Sequence, residues 1–136
     1  MPFVVDTSAA LAWFFADERT AETQGLLLSL DVDFAITPAI WSSEMANAFM
    51  MAERRKRIAA AEIAQYLSDL AALPLRAERA LAPDDMAAVI DLARRHSLSA
   101  YDACYLDLAL RMKLPLATRD AALASAATER RVKLLL

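Results

Sequence analysis

Four acidic residues of this 136-residue chain stand where carboxylates could do chemistry: Asp6, Glu44, Asp102 and Asp120. Asp6 and Asp120 follow short apolar segments that we predict to be strands, and Glu44 lies in an apolar stretch without a nearby basic partner. Carboxylates gathered in one crevice repel one another and stay ionised only if a cation neutralises them. A divalent metal held by carboxylates and water lowers the pKa of a bound water, which can then attack a phosphodiester.

Each acid also has a purely structural explanation. Asp6 could cap a helix beginning near Ser8, and Asp102 could complete a capping box that Ser99 opens. Asp120 could lie in the first turn of a helix, where the helix dipole favours an acid. Taken singly, these structural roles are the stronger interpretation. The positions of Asp6 and Asp120 after predicted strands favour a catalytic role. Ligands of open α/β sheets bind beyond the carboxyl ends of the strands, where strand order reverses. If the first and fourth strands are neighbours there, Asp6 and Asp120 share one crevice.

Asp107 is the competing acid on the helix that carries Asp102. Five residues at about 100° each place the two side chains roughly 140° apart around the helix, so both cannot face one site. We choose Asp102, which lies in the first turn, and interpret Asp107 as a surface or salt-bridge residue.

Composition excludes several other kinds of site. The formal net charge of -3 argues against bulk electrostatic wrapping of nucleic acid. One histidine, His96, argues against His-rich zinc sites and a Ser/His/Asp triad, so a metal site must be rich in oxygen. The single cysteine, Cys104, permits no disulfide within the chain and is typical of a reducing cytoplasm. We see neither a signal peptide nor an apolar run near the roughly 18–20 residues of a membrane span.

Short apolar runs alternate with longer helical patterns along the chain. This alternation predicts one α/β domain over residues 1–136, with three α/β/α layers and a parallel sheet. The strands are expected at 3–5, 34–37, 73–76, 114–118 and 132–136. Helices are expected at 8–15, 20–30, 38–55, 60–72, from Pro83, 99–113 and 120–128. Pro74 indicates an edge position for the third strand.

The segments around the acids resemble the PIN-domain family, and within it the VapC-type toxins of bacterial toxin–antitoxin pairs. The opening motif is Val4-Val5-Asp6-Thr7-Ser8, a strand ending in Asp and then Thr. The others are Trp41-Ser42-Ser43-Glu44-Met45-Ala46-Asn47, Ser99-Ala100-Tyr101-Asp102 and Leu116-Ala117-Thr118-Arg119-Asp120. No single motif is specific, but the four occur in the family's order and spacing across the whole chain.

The resemblance implies a five-stranded parallel sheet in the order 3-2-1-4-5, which places the first and fourth strands side by side. It implies Mg²⁺ or Mn²⁺ as cofactor, RNA as substrate, a homodimer, and a cognate antitoxin. Carried onto this chain, Asp6, Glu44, Asp102 and Asp120 would be the catalytic metal ligands. The hydroxyls of Thr7 and Thr118 would support them, and Asn47 would hold the Glu44 carboxylate from the same helical face.

Several interpretations remain open. Arg119 could reach the substrate phosphate, and the basic run of Arg54, Arg55, Lys56 and Arg57 could contact RNA or antitoxin instead of merely compensating a helix dipole. A phosphatase or phospho-acceptor domain is a weak rival, because Ser8 replaces the second acid of Asp-x-Asp. An RNA-processing nuclease that is not a toxin, and a metal-free PIN scaffold that only binds partners, are the nearer alternatives.

Overall fold

The computed structural model of the protein describes every residue from Met1 to Leu136. The strands are β1 (Phe3–Val5), β2 (Ala35–Thr37), β3 (Leu75–Ala77) and β4 (Leu116–Ala117). The helices are α1 (Thr7–Leu11), α2 (Ala21–Ser29), α3 (Ile40–Arg54), α4 (Ala60–Ala71), α5 (Pro83–His96), α6 (Ala100–Met112) and α7 (Ala121–Glu129), with one 3₁₀ turn at Ala16–Glu18. The predicted alternation of strands and helices is therefore confirmed.

The four strands form one parallel sheet in the order β3-β2-β1-β4. β1 is central and pairs with β4 through Val4↔Leu116 and Val5↔Ala117, so the two strands that end near Asp6 and Asp120 are neighbours. β3 lies at the edge, as Pro74 indicated. The order predicted for the first four strands is correct.

The predicted fifth strand is reduced to a single parallel bridge between Leu116 and Leu134. Leu116 donates to the carbonyl of Lys133 at 2.9 Å, and Leu135 donates back to Leu116 at 3.1 Å. The carboxyl-terminal segment thus lies beside β4, where the fifth strand was expected. Its pairing is limited to this bridge, and β4 itself is two residues long.

Capping side chains fix where the helices begin at the carboxyl edge of the sheet. Asp6 accepts from the amide of Ala9 at the start of α1, Ser99 accepts from Asp102 in α6, and Asp120 accepts from Leu123 in α7. Each interaction satisfies an amide that has no partner within its helix. Two of the acids proposed for chemistry, Asp6 and Asp120, therefore also hold the first turn of a helix.

The core lies between the sheet and the helices that cover it. All residues of β1, β2 and β4 are buried, and α6 buries six of its thirteen residues, as its nearly uniform apolar sequence predicted. Within the same core, the rings of Phe14, Phe15, Phe49 and Tyr66 join the turn after α1 to α3 and α4. This packing fixes α3, which carries Glu44, against α1. None of the helices combines the length and apolar character required to cross a bilayer.

Candidate functional site

Asp6 stands at the carboxyl end of β1 and is 4% exposed. Its Oδ1 accepts from the amide of Ala9 at 2.9 Å and from the Ser8 hydroxyl at 2.7 Å. Its Oδ2 accepts a short hydrogen bond from Thr118 and a second from Ser8 at 3.0 Å. The pKa of Asp6 is raised, mainly because burial disfavours its charged form. Hydrogen bonds from Thr118, Ala9 and Ser8 lower this pKa in part, and the negative charge of Asp120 raises it.

The residues after β4 are joined to those after β1. Asp120 donates its amide to the Thr118 hydroxyl at 3.0 Å, while its Oδ2 accepts from Leu123 at 2.8 Å. The amide of Arg119 donates to the Ser8 hydroxyl at 2.8 Å. The Asp120 Oδ1 atom accepts no hydrogen bond from the protein. Thr118 and Ser8 therefore lie between the two strand ends and connect Asp6 to the segment that carries Asp120.

Glu44 is half-buried on α3 and faces two hydroxyls from other elements. Its Oε1 accepts a short hydrogen bond from Tyr105 of α6 and another from Thr7 of α1 at 3.3 Å. The hydroxyl oxygens of Thr7 and Tyr105 lie 3.1 Å apart. Oε2 of Glu44 accepts nothing from the protein. The carboxylate is thus held by one oxygen, and its other oxygen is available to a ligand.

Asp102 is half-buried in the first turn of α6, where its amide donates to the Ser99 hydroxyl at 3.1 Å. Burial raises the pKa of Asp102, the negative charges of Asp120 and then Glu44 raise it further, and a hydrogen bond with Ser99 lowers it in part. The two charges that act on Asp102 are therefore those of Asp120 and Glu44.

No cation of the protein neutralises this acidic group. The salt bridges of the structure involve none of Asp6, Glu44, Asp102 and Asp120. Burying carboxylates next to one another without a counter-charge is costly. The arrangement therefore suits a bound cation, and its oxygen-only donor set suits a hard divalent ion such as Mg²⁺ or Mn²⁺.

The carboxylates do not form a closed cage. No three His, Cys, Asp or Glu side chains converge closely enough to hold an ion jointly. Oε2 of Glu44 and Oδ1 of Asp120, which lack protein donors, are free to bind one. Mg²⁺ commonly keeps several waters and takes only one or two carboxylates, so this open set fits the ion.

The structure shows the surroundings of Asn47, Arg119 and Asp107, three residues assigned from the sequence. Asn47 is exposed and makes no hydrogen bond to Glu44, whose partners are Thr7 and Tyr105. The Arg119 side chain pairs with Glu18 at 3.0 Å. Asp107 is a salt-bridge residue, one of the two roles predicted for it: it is bonded to Arg111 at 2.9 Å and is 5% exposed. The partner one helical turn away makes its burial possible.

Two residues of the site were missed. Tyr105 is buried in α6 at 1% exposure, and its hydroxyl donates to Glu44. A buried tyrosine needs a partner for its hydroxyl, and its position three residues after Asp102 is the signal that could have indicated one. Ser8 lies near the predicted start of a helix, and its hydroxyl donates to both oxygens of Asp6.

Comparison with known proteins agrees with this architecture. No curated protein sequence matches the chain. Among solved structures, PAE2754 from Pyrobaculum aerophilum is similar with a TM-score of 0.70 at 21% identity, over 99% of this chain and 84% of that one. FitAcB from Neisseria gonorrhoeae is similar with a TM-score of 0.52 at 17% identity, over 98% of this chain and 96% of that one. These two similarities concern the fold alone.

The sequence match decides the family. It corresponds to the PIN domain, covers residues 3–129 and includes every acid of the site. PIN domains are typically metal-dependent nucleases. Because the match runs through nearly the whole chain, this chain belongs to the PIN domain family.

Proposed function

We propose that the protein is a Mg²⁺- or Mn²⁺-dependent endoribonuclease and the toxin of a VapBC-type toxin–antitoxin pair. One observation carries the nuclease proposal: Thr118 bonds both the Asp6 carboxylate and the Asp120 amide, Tyr105 joins the helix of Asp102 to Glu44, and none of the four acids forms an ion pair with a basic side chain. The toxin proposal is supported by the resemblance of the four acidic segments to VapC-type toxins. With it come a homodimer, an antitoxin partner and a cytoplasmic location as parts of the same proposal.

The four acids would hold the metal directly or through water, with Thr7 and Thr118 supporting them. When bound, the ion supplies a water of lowered pKa and positive charge for the phosphodiester oxygens. The chain does the positioning: Thr118 and Ser8 direct both oxygens of Asp6, and Tyr105 with Thr7 holds Oε1 of Glu44. Those contacts restrict the carboxylates to one arrangement before substrate arrives, which reduces the reorganisation that the reaction would otherwise require.

The proposal is tested by inducing wild type and Asp6→Asn in a bacterial host and mapping RNA 5′ ends in both. Wild type should arrest growth and create discrete new ends, whereas the variant should do neither. Asp91→Asn is a matched control, because Asp91 is exposed on α5 and pairs with Arg95 away from the site. Equal arrest by wild type and Asp6→Asn would refute the assignment. Discrete ends without arrest would favour an RNA-processing nuclease, and neither effect would favour a scaffold.

Thr118→Val is expected to slow RNA cleavage by about tenfold, because it removes one of the donors that fix Asp6. Thr118→Ser keeps the hydroxyl and should retain most of the rate. Initial rates on one RNA at saturating Mg²⁺, and the affinity for Mn²⁺, are the measurements. A Val variant as active as the Ser variant would show that this hydroxyl has no part in the reaction.

A further inference from the structure

An ion-pair network lies beside the acidic site and is not explained by metal binding. Glu18, on the 3₁₀ turn, accepts Arg57 on Oε2 at 2.8 Å and Arg119 on Oε1 at 3.0 Å. Arg57 also reaches Asp17 at 2.6 Å. The two arginines come from distant parts of the chain, and each takes a different oxygen of the same carboxylate.

Local structure places Arg57 in this network. At the end of α3, Lys56 adopts the left-handed conformation with φ of 58°, and the amide of Arg57 donates back to Ala52 at 2.8 Å. This turn directs Arg57 towards the ring of Phe15, whose centroid lies 4.1 Å from the guanidinium carbon. Cation–π packing holds one face of the guanidinium and leaves its N–H edge for anions. The group is therefore positioned before any ligand binds.

A groove of about 440 Å³ continues from this network along α3. Glu18, Asn47, Arg55 and Arg57 contribute to its walls. At one end Glu18 connects to Arg119, which directly precedes Asp120, and Asn47 lies three residues after Glu44. The groove therefore leads away from the acidic edge. Arg55 on its wall is exposed, as are its chain neighbours Arg54 and Lys56, and none of the three forms an ion pair.

We infer that Arg57 and Arg119 together bind a backbone phosphate of the RNA next to the cut bond, and that Glu18 fills this place when RNA is absent. The inference rests on the proposed nuclease function. A carboxylate offers two oxygens to the arginines, as a phosphodiester does with its two non-bridging oxygens. Exposed ion pairs contribute little to stability, so a phosphate can replace Glu18 at low cost, and arginine binds phosphate strongly. Asn47 then lines the path of the strand.

The test measures binding without cleavage. Asp6→Asn protein in EDTA is titrated with a labelled single-stranded RNA of mixed sequence over a series of monovalent salt concentrations. Adding Arg57→Ala should weaken binding about tenfold and reduce the slope of log K against log salt by about 0.7 for the lost phosphate contact. Adding Glu18→Gln should instead strengthen binding at low salt, because the competing carboxylate charge is gone.

Matched controls lie in two separate ion pairs, in the last turns of α5 and α7. Arg95→Ala removes an exposed arginine paired with Asp91, and Glu129→Gln removes an exposed acid beside His96. Neither should change the affinity or the salt slope. Thermal unfolding of all variants checks that each one is folded.

An unchanged salt slope in Arg57→Ala, or weaker binding in Glu18→Gln, would overturn the inference. So would an Arg57→Ala variant that loses affinity for an acidic peptide but not for RNA, since the arginines would then serve an acidic protein segment. These failures differ from failure of the proposed function. If Asp6-dependent cleavage persists while the Arg57 effects are absent, only the phosphate site is wrong.

Discussion

Asp6→Asn should abolish RNA cleavage, lowering the rate by roughly a thousandfold or more, while it makes the metal-free protein more stable. The stability gain, on the order of 1 kcal/mol, follows from replacing a buried carboxylate by a neutral amide. Asparagine is as good a helix cap as aspartate, so α1 should keep its first turn. Loss of activity together with a gain in stability would show that the charge of Asp6 serves ligand binding and not the stability of the fold.

The sign of the pH dependence follows from the raised pKa of Asp6. Above that pKa the folded state contains a poorly solvated charge that the unfolded state solvates well, so the wild type is penalised. The penalty fades as pH falls through the raised pKa and is absent below the ordinary value of 3.8. The melting temperatures of Asp6→Asn and wild type, measured in EDTA, should therefore differ most near neutral pH and converge in acid.

Adding Mn²⁺ should reverse this order, because a ligand of the folded state stabilises the protein that binds it. Wild type should gain melting temperature with Mn²⁺ concentration, and Asp6→Asn should gain much less. If the variant is less stable than wild type in EDTA at neutral pH, Asp6 is a structural residue and its charge is not kept for a metal.

Tyr105→Phe should reduce RNA cleavage by about 10–100-fold with the fold intact. The ring stays in the core, but Glu44 loses the hydroxyl that directs its Oε1. Loss of one hydrogen bond should lower the free energy of unfolding by only about 1 kcal/mol. Cleavage rates and urea unfolding curves measure the two effects separately.

Tyr101→Phe is the matched control for this prediction. Tyr101 is on the same helix, next to Asp102, but is 61% exposed and makes no hydrogen bond to the acids. It should retain full activity. Equal activity of Tyr105→Phe and wild type would remove Tyr105 from the positioning of Glu44.

The sequence carried enough information for the acids but not for all the groups that hold them. Asp6 and Asp120 follow strands, and parallel strands end at one edge, so their meeting could be predicted once β1 and β4 were taken as neighbours. Thr7 and Thr118 adjoin these acids along the chain, and their hydroxyls do contact carboxylates of the site. These two assignments came from the family resemblance, since Thr7 contacts Glu44 and Thr118 contacts Asp6 across the chain.

Side-chain contacts between distant parts of the chain could not be predicted from the sequence. Tyr105 cannot be distinguished by sequence from other residues of a buried helix, because hydrophobic periodicity does not reveal the hydrogen-bond partner of its hydroxyl. Glu18 contacts Arg119, which is 101 residues away in the sequence. The left-handed turn at Lys56 brings Arg57 to Glu18, and no glycine marks this turn in the sequence. The fifth strand was overestimated because an apolar segment, Val132–Leu136, can lie beside a sheet without extending its hydrogen bonds.

The most direct test of the acidic site uses purified protein, total RNA and mapped 5′ ends, with Mg²⁺ or EDTA, for wild type and Asp120→Asn. Asparagine at position 120 preserves the cap of α7 and removes one carboxylate charge from the site. We expect discrete new ends only for wild type with Mg²⁺. Cleavage by Asp120→Asn at the wild-type rate, or by wild type in EDTA, would contradict a metal-dependent nuclease built on these four carboxylates.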